Sequence, residues 1–267
     1  MAITSYLYQI LISLKKKELI SSGKTNSILE IGEQNWYGDV SFQDLEKTID
    51  NYSDSKSKDI LRRKLNEITT FTELGKEPKS FSFDIAKLFY RAIFDYKEYL
   101  ALDLQGTKHS INFDLNNEYK DVKKYDVVTN IGTSEHIFNQ LAVFKTIHNS
   151  VKAGGFIIHQ LPGQGYYDHG FYNYQPTFFF DLAQANNYFM IGFWMYDNNK
   201  EELINIHNRE NYVKLYVREN HPTYYDNIVI YKSSDKKEEE FKLPTQYIYS
   251  KTNLSSEEQK RWDANKK

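Results

Sequence analysis

The sequence contains no cysteine among its 267 residues. This absence excludes disulfide bonds, thiolate metal sites and cysteine nucleophiles, and it is compatible with a reducing compartment. An excess of one charge is also lacking, since 34 basic and 36 acidic residues leave a formal net charge of −2. We therefore expect no nucleic acid as a partner, because nucleic-acid-binding domains carry a marked positive patch or stripe.

Long apolar runs are missing as well. The stretch from Tyr6 to Leu14 is apolar, but a bilayer span needs about 20 such residues. The basic residues Lys15 to Lys17 follow it, whereas a secretory signal peptide carries its positive charge first. We therefore expect no membrane partner, a cytoplasmic location, and an amphipathic helix within residues 1–24 that packs on the domain. A substrate lid or a dimer contact is the alternative role for that helix, and the oligomeric state stays open.

What the sequence does contain is enough apolar surface for a sizeable core. Hydrophobic residues make up 40% and charged residues 26%, as in globular proteins and unlike disordered ones. The length suits one large α/β domain, so we expect residues 1–267 to form a single domain. Residues 41–80 predict a helical insertion or lid, and residues 235–267 predict a polar C-terminal extension with a short helix near Ser255.

The segment from Tyr125 to Pro162 is the most informative part of the chain. It begins with YDVVTNI, an apolar run typical of a buried parallel strand. FNQLAVFKTIHNSV then has helical spacing, and FIIHQLP predicts a second buried strand. Lys152 to Gly155 predict the end of the helix, because glycine adopts positive φ at little cost. In such right-handed crossovers, ligands bind outside the carboxyl ends of the strands.

Similar patterns recur along the chain. Helical patterns occur at residues 83–96 and 177–186, and residues 212–217 predict a further short strand. The predicted main strands end near Ile31, Asp103, Asp114, Asn130, Leu161, Trp194 and Tyr231. This alternation predicts a doubly wound, Rossmann-like α/β sheet of about seven strands, with the helical insertion after the first strand.

The central segment resembles the fourth and fifth strands of class I S-adenosylmethionine-dependent methyltransferases. The matching residues, in the order and spacing of that family, are Tyr125 to Val128, Glu135, His136, Val151 to Gly155 and Pro162. The resemblance implies a mostly parallel sheet whose last strand runs antiparallel between the fifth and the sixth. It also implies methyl transfer from S-adenosylmethionine to oxygen or nitrogen of a small-molecule or saccharide acceptor. The alternatives are a non-catalytic binding or assembly module with this fold, and another nucleotide-dependent enzyme on a Rossmann-like sheet.

The resemblance further implies a cofactor site at the first two strand ends. Glu30 and Gly32 match the acid and the first glycine of the family's turn. Gln34 and Trp36 replace its second and third glycines, and Gln34 could supply side-chain hydrogen bonds instead. Asp103 matches the acid that accepts both ribose hydroxyls, since a carboxylate accepts two hydrogen bonds at once. A plain strand-end turn is the alternative role for Asp103.

The third and fourth strand ends complete the implied cofactor site. Asp114 and Leu115 stand where the family contacts adenine, with turn chemistry as the alternative for Asp114. Asn130 and Gly132 are expected to face the methionine part. A dinucleotide-binding turn is disfavoured, because Gly32 lacks the partner glycines of that motif. The chain also has no P-loop and no H-E-x-x-H spacing, and we predict no metal site.

Three histidines are candidates for the acceptor side. His136 and His169 are predicted to be catalytic, because histidine exchanges protons near neutral pH. A hydrogen bond at a helix start is the alternative for His136. His159 is a candidate substrate contact, but its position inside a strand favours a buried core histidine.

The loop of residues 163–176 is the predicted segment for acceptor recognition. Its Tyr166, Tyr172 and Tyr174 offer flat faces with hydroxyl tips. Such faces suit a sugar ring, an aromatic compound or a peptide, and packing of the loop itself is the alternative.

Overall fold

The computed structural model of the chain describes residues 2–20, 27–76, 80–121, 123–217, 221–236 and 240–250. The helix predicted near Ser255 lies outside the described residues, as do residues 21–26 and 77–79. None of the helices in the described ranges has the length and the apolar character that crossing a membrane requires.

A large sheet forms the centre of the fold. The strands in chain order are β1 (Ala2–Ile3), β2 (Ser27–Ile31), β3 (Asn35–Trp36), β4 (Glu98–Asp103), β5 (Ser110–Asn112), β6 (Tyr125–Ile131), β7 (Val151–Pro162), β8 (Phe189–Asp197), β9 (Glu202–Asn205) and β10 (Tyr225–Lys232). Eight of them form one sheet in the order β5-β4-β2-β6-β7-β10-β8-β9, and β1 pairs with β3. The strand order reverses outward from β2 and β6, as in other doubly wound sheets.

The strand directions confirm the predicted fold class. Strands β5, β4, β2, β6 and β7 pair in parallel. The last strand, β10, lies antiparallel between β7 and β8, as the family resemblance implied. Strand β9 was not predicted; it is a four-residue edge strand that pairs antiparallel with β8.

The helices lie on both faces of the sheet. They are α1 (Ser5–Lys16), α2 (Phe42–Tyr52), α3 (Ser55–Glu73), α4 (Phe81–Phe94), α5 (Gln140–Ser150), α6 (Pro176–Ala185), α7 (Arg209–Val217) and α8 (Tyr247–Ser250). Residues 41–80 thus contain α2 and α3, which pack on α4 through Leu45, Ile49 and Leu65. Their role as an insertion or a lid stays a prediction.

Two apolar clusters cover the two faces of the sheet. Ile28 of β2 belongs to the cluster with α1 to α4, whereas its neighbour Leu29 belongs to the cluster with α5 and α6. Ile158 and Ile157 of β7 divide between the clusters in the same way, because successive strand residues point to opposite faces. Each such fully buried side chain contributes about 2 kcal/mol of hydrophobic stabilisation.

Two local predictions were wrong. Residues 212–217 form part of α7 instead of a strand: Asn208 accepts a hydrogen bond from the Asn211 amide at 2.9 Å, which caps a helix. The helix α5 ends at Ser150, before the glycines. Residues 152–155 instead bulge from the start of β7, between the Tyr125–Val151 and Val127–Phe156 pairs. The glycines therefore serve a bulge, which needs backbone freedom as a helix end does.

Candidate functional site

Four parallel strands end at one cavity of about 110 Å³, which we call the strand-end cleft. The residues that line it are Gly32, Asp103, Leu104, Phe113, Leu115, Thr133, His136 and Ile137. They follow or end β2, β4, β5 and β6, in agreement with the rule that ligands bind outside the carboxyl ends of such strands. The structure thus brings together four of the predicted site residues, Gly32, Asp103, Leu115 and His136.

Asp103 closes the turn at the floor of the strand-end cleft. Its Oδ2 accepts the Glu33 amide and its Oδ1 accepts the Gln105 amide, both at 2.8 Å. Each carboxylate oxygen can accept a further hydrogen bond, so Asp103 keeps acceptor capacity. Gly32 begins the same turn with φ of +73°, a conformation that glycine adopts without strain.

Glu33 is a buried residue of this turn that the sequence did not single out. Its carboxylate forms an ion pair with Lys87 of α4 and accepts the Thr107 hydroxyl at 2.7 Å. Burial raises the pKa of Glu33, but hydrogen bonds from Lys87 and Thr107 more than offset this effect and hold the pKa below its usual range. A Cβ on Gly106 would lie 2.2 Å from Ser110 Oγ and 2.8 Å from Glu33 Oε2, so a larger residue there would displace these side chains.

Glu30 and Gln34 turn into the protein and do not line the cleft. The Gln34 amide group donates to the Gly32 carbonyl and accepts the Thr129 hydroxyl at 2.7 Å. Glu30 is fully buried. Its carboxylate accepts a hydrogen bond from the backbone amide of Gln34 at 2.9 Å and another from the Tyr99 hydroxyl. Burial raises the pKa of Glu30 to about 8. Gln34, which stands where the resemblance implied a glycine, therefore shapes the turn through the hydrogen bonds of its side chain.

Asn130 and Gly132 shape the turn after β6. Asn130 is buried. Its side-chain Oδ1 accepts a hydrogen bond from the backbone amide of Ser134 at 3.2 Å, and its Nδ2 donates to the Ser134 hydroxyl at 3.0 Å. Gly132 has φ of +59° and donates its amide to the Gln160 carbonyl at 2.9 Å. Neither residue is among the lining residues of the cleft, although both are predicted to face the cofactor.

Asp114 is exposed and lies outside the set of lining residues, while its neighbours Phe113 and Leu115 belong to it. Its Oδ1 accepts the backbone and side-chain amides of Asn116, both at 2.9 Å. This is the turn chemistry that the sequence left as the alternative.

His136 and His169 come together beside the cleft, around the carboxylate of Glu135. Their ring centroids are 5.0 Å apart, and their Nε2 atoms lie 3.8 and 3.7 Å from Glu135 Oε1. Glu135 is 1% exposed, whereas each histidine side chain is 43% exposed. Burial raises the pKa of Glu135 to about 7, and burial together with His169 lowers the pKa of His136.

The loop of residues 163–176 is fastened to the segment after β6. The amides of Phe171 and Tyr172 donate to the Glu135 carbonyl at 2.8 and 3.2 Å. The Tyr172 hydroxyl donates to the Phe138 carbonyl at 2.9 Å, and the buried Tyr174 donates to Gln140 at 2.6 Å. These two predicted substrate contacts thus use their hydroxyls in packing the loop.

Tyr166 belongs to a separate polar group at the same edge. Its hydroxyl donates to the buried carboxylate of Asp226 at 2.5 Å, and Tyr6 of α1 donates to the same oxygen at 3.0 Å. Asn198 also donates to it, at 3.2 Å. Asp226 and Tyr6 had no individual signal in the sequence, because their partners come from distant elements.

His159 lies in the core, away from the cleft. It is fully buried, and its ring packs against Phe144, Phe179 and Tyr231. Its Nδ1 lies 3.3 Å from Asn130 Nδ2, and burial lowers its pKa to about 3. A buried core histidine, which the strand position favoured, describes this environment.

A larger cavity of about 570 Å³ lies between α3 and α4. Its floor includes Lys87 and Tyr99, which are bonded to Glu33 and Glu30 behind the strand-end turn. The strand-end cleft is the candidate site, because it holds Asp103, which can accept further hydrogen bonds, and lies beside the partly exposed His136 and His169.

No protein-family model and no curated protein matches this sequence. Solved structures with a similar fold include the N-methyltransferase NodS from Bradyrhizobium japonicum WM9, with 8% identity, a TM-score of 0.41, and coverage of 85% of this chain and 94% of that one. Another is the O-methyltransferase from the trans-AT PKS multienzyme of Brevibacillus brevis, in complex with S-adenosyl-L-homocysteine, with 11% identity, a TM-score of 0.44 and coverage of 85% and 72%. The YcgJ protein from Bacillus subtilis has 8% identity, a TM-score of 0.44 and coverage of 86% and 99%. The strand order of the chain itself, more than these distant likenesses, defines the fold.

Proposed function

We propose that this chain is a class I S-adenosylmethionine-dependent methyltransferase that acts on oxygen or nitrogen of a small-molecule acceptor. The observation that carries this proposal is the strand-end cleft, where Gly32, Asp103 and Leu115 meet from three separate strand ends. These are the positions where the sequence resembles the cofactor-binding residues of that family.

The lining of the cleft fits the nucleoside part of the cofactor. Asp103 keeps free acceptor capacity for ribose hydroxyls, since its two backbone bonds use only part of it. Leu104, Phe113, Leu115 and Ile137 supply apolar walls for a base. The volume of about 110 Å³ is below the roughly 300 Å³ of most ligand pockets, so the enclosed space can hold only part of the cofactor.

S-adenosylmethionine supplies an electrophilic methyl group on a positively charged sulfur. The task of the chain is then to align and desolvate the acceptor, and to remove its proton where needed. His136 lines the cleft and His169 lies next to it. Burial lowers the pKa of His136, which favours the neutral imidazole that a base requires.

Exposed aromatic side chains beside these histidines favour a ring-shaped acceptor, such as a saccharide or an aromatic compound. Phe138 and Phe171 are 71% and 67% exposed, and their rings are 6.1 Å apart in an edge-to-face arrangement. Tyr167 on the same loop is 90% exposed. Sugars and aromatic rings stack on such faces, and exposed apolar groups of this kind mark binding surfaces.

Calorimetric titration with S-adenosylmethionine and S-adenosylhomocysteine tests this function. We expect binding of both ligands, and at least tenfold weaker binding by Asp103→Asn, which removes one carboxylate acceptor. The matched control is Asp197→Asn, because Asp197 ends β8 and accepts the Asn199 amide at 3.0 Å in the same kind of turn. That variant should bind as the unchanged protein does.

Absence of binding by the unchanged protein at millimolar ligand would contradict the proposal and favour the non-catalytic module. The same titration on Asp114→Asn tests the adenine contact that the sequence predicts. Weakening equal to that of Asp103→Asn would mean that the base lies over Asp114 and outside the enclosed part of the cleft.

A further inference from the structure

Glu135, His136 and His169 form the one group of potential metal ligands found among the described residues. A carboxylate oxygen and one nitrogen from each histidine all lie within 4.8 Å of one another. No sequence pattern predicts this group, because 32 residues separate the two histidines and no metal motif has that spacing. The docked loop of residues 163–176 brings them together.

The carboxylate of Glu135 and the two histidine rings are too far apart to form hydrogen bonds with one another. Glu135 Oε1 lies 3.8 Å from His136 Nε2 and 3.7 Å from His169 Nε2, beyond hydrogen-bond range. Ligands bound at about 2.1 Å to one metal ion are themselves roughly 3 to 3.5 Å apart. Movements of up to about 1 Å would therefore bring the three atoms to coordination distance around a shared ion.

Glu135 has an unused ligand atom in a buried position. The side chain is 1% exposed, and its Oε2 has no hydrogen-bond partner among the described atoms. Burial and, to a smaller extent, the nearby carboxylate of Asp226 raise the pKa of Glu135. No lysine or arginine of the described ranges forms an ion pair with Glu135 or Asp226. Buried carboxylates need a positive partner or a proton.

Both segments that carry the ligands are fixed in place. Asn130 bonds Ser134 next to Glu135, and the amides of Phe171 and Tyr172 bond the Glu135 carbonyl. A Cβ on Gly170 would lie 2.9 Å from that carbonyl oxygen, so glycine permits this approach next to His169. The arrangement is thus prepared before any ligand arrives.

We propose that Glu135, His136 and His169 bind a divalent first-row transition-metal ion beside the strand-end cleft. Two imidazoles with one carboxylate suit Zn²⁺, Fe²⁺ or Co²⁺, and three protein ligands leave open positions for water or substrate. Both histidines are 43% exposed, so an ion can enter from solvent. The ion binds the carboxylate form of Glu135, so any proton that this group holds is released to solvent.

This site changes the role of the two histidines within the proposed function, on which this part of the inference depends. An imidazole nitrogen that coordinates a metal ion has no lone pair left for an acceptor proton. His136 and His169 would then act as ligands in the metal-loaded protein, and the acceptor would meet the ion at an open position. They act as free bases only where no ion binds.

Titration of untagged, chelator-treated protein with Co²⁺ and Zn²⁺ tests the site. We expect one ion per chain with a micromolar or lower Kd, and visible Co²⁺ absorption bands that Zn²⁺ abolishes by displacement. His169→Ala and Glu135→Gln should each weaken binding at least tenfold. His169 is half exposed, so His169→Ala should fold even if Glu135→Gln does not, and thermal unfolding checks both.

His109→Ala is the matched control, since His109 is an exposed histidine that packs near Tyr99 and outside the group. It should bind both ions as the unchanged protein does. No binding of either ion at 100 µM by the unchanged protein, or unaltered binding by His169→Ala, would overturn the metal site. Calorimetry of the metal-free protein with S-adenosylhomocysteine tests the proposed function separately, so the two ideas can fail independently.

Discussion

Two buried glutamates at the carboxyl edge of the sheet have opposite environments. Glu33, after β2, is fully buried and is bonded to Lys87 and to Thr107. Glu135, after β6, is equally buried, but its Oε2 has no partner in the described structure. The pKa of Glu33 lies below its usual range, whereas burial raises that of Glu135 to about 7.

This difference separates residues that hold the site from residues that can act in it. The negative charge of Glu33 is compensated inside the protein, so its contribution is to fix the turn that carries Gly32. The charge of Glu135 still needs compensation, and a proton or a bound cation can supply it. The turn after β2 is thus a fixed support, and the segment after β6 remains open to a ligand.

Breaking the buried ion pair of Glu33 and Lys87 should lower the stability of the protein more than any other change considered below. Lys87→Met removes the partner of Glu33 and leaves a buried, unpaired carboxylate, which costs about 3–5 kcal/mol of stability. Urea unfolding at pH 7 measures this loss. The turn that supports Gly32 and Asp103 should loosen as well, so binding of S-adenosylhomocysteine should weaken in the same variant.

An exposed ion pair provides the control for this experiment. Arg62 and Asp50 form a pair whose side chains are 47% and 34% exposed, so Arg62→Met should change the free energy of unfolding far less than Lys87→Met. The double variant Glu33→Gln/Lys87→Met should recover part of the lost stability, because it removes the stranded charge. Equal losses for Lys87→Met and Arg62→Met would contradict the supporting role of Glu33.

The pH dependence of stability should distinguish Glu30 from Glu33 within the same turn. Burial raises the pKa of Glu30 from 4.5 to about 8, so the folded state binds more protons than the unfolded state between these values. The free energy of unfolding should therefore fall as pH rises through this range. Glu30→Gln should remove this fall in the free energy of unfolding, which amounts to roughly 3–5 kcal/mol over the whole range.

Glu33 should contribute to the pH profile with the opposite sign. Its pKa is lowered in the folded state, so its stabilising contribution is present above the unfolded pKa and is lost as pH falls below it. Glu33→Gln should therefore reduce the loss of stability in acid. Urea unfolding between pH 3 and 9 measures both variants, and parallel changes in the two profiles would contradict the contrast between these residues.

Much of the fold was predictable because it follows from local patterns. Apolar runs and their alternation with helices predicted the main strands, and the ends of β2 and β4 at Ile31 and Asp103 agree with the structure. The short edge strand β9 was missed, and α7 was mistaken for a strand. In both segments the pattern is short, so contacts with the rest of the sheet decide the structure.

The site was predictable where one strand end supplies one residue. Asp103 and Gly32 needed only the order of the strands to be placed at the cleft. The Glu33–Lys87 pair joins residues 54 positions apart, and the direction of the Gln34 side chain depends on Thr129 in another strand. The grouping of His136 with His169 requires a docked loop. Such contacts leave no periodic signal in the sequence.

A bulkier residue at position 170 should disturb the group of Glu135, His136 and His169 without replacing any of the proposed metal ligands. The added Cβ of Gly170→Ala would lie 2.9 Å from the Glu135 carbonyl oxygen and 3.2 Å from Glu135 Cγ. Such overpacking costs about 1–2 kcal/mol and should move His169 away from Glu135. We expect weaker Co²⁺ binding and a lower melting temperature, measured by absorption and by thermal unfolding.

Tyr167→Ala is the control on the same loop, because Tyr167 is 90% exposed. It should leave Co²⁺ binding unchanged while it removes one aromatic face from the surface. Unaltered Co²⁺ affinity in Gly170→Ala would mean that the loop position does not determine the metal site.

The smallest effect should come from the hydroxyl of Tyr172, which separates loop packing from acceptor contact. This hydroxyl donates to the Phe138 carbonyl at 2.9 Å, and the Tyr172 amide independently bonds Glu135. Tyr172→Phe should therefore cost only about 0.5–1 kcal/mol, because the backbone bonds still hold the loop. Thermal unfolding measures that loss, and binding of S-adenosylhomocysteine should not change. Once an acceptor is known, a large rise in KM with unaltered stability would instead show that this hydroxyl binds the acceptor, as the sequence predicts.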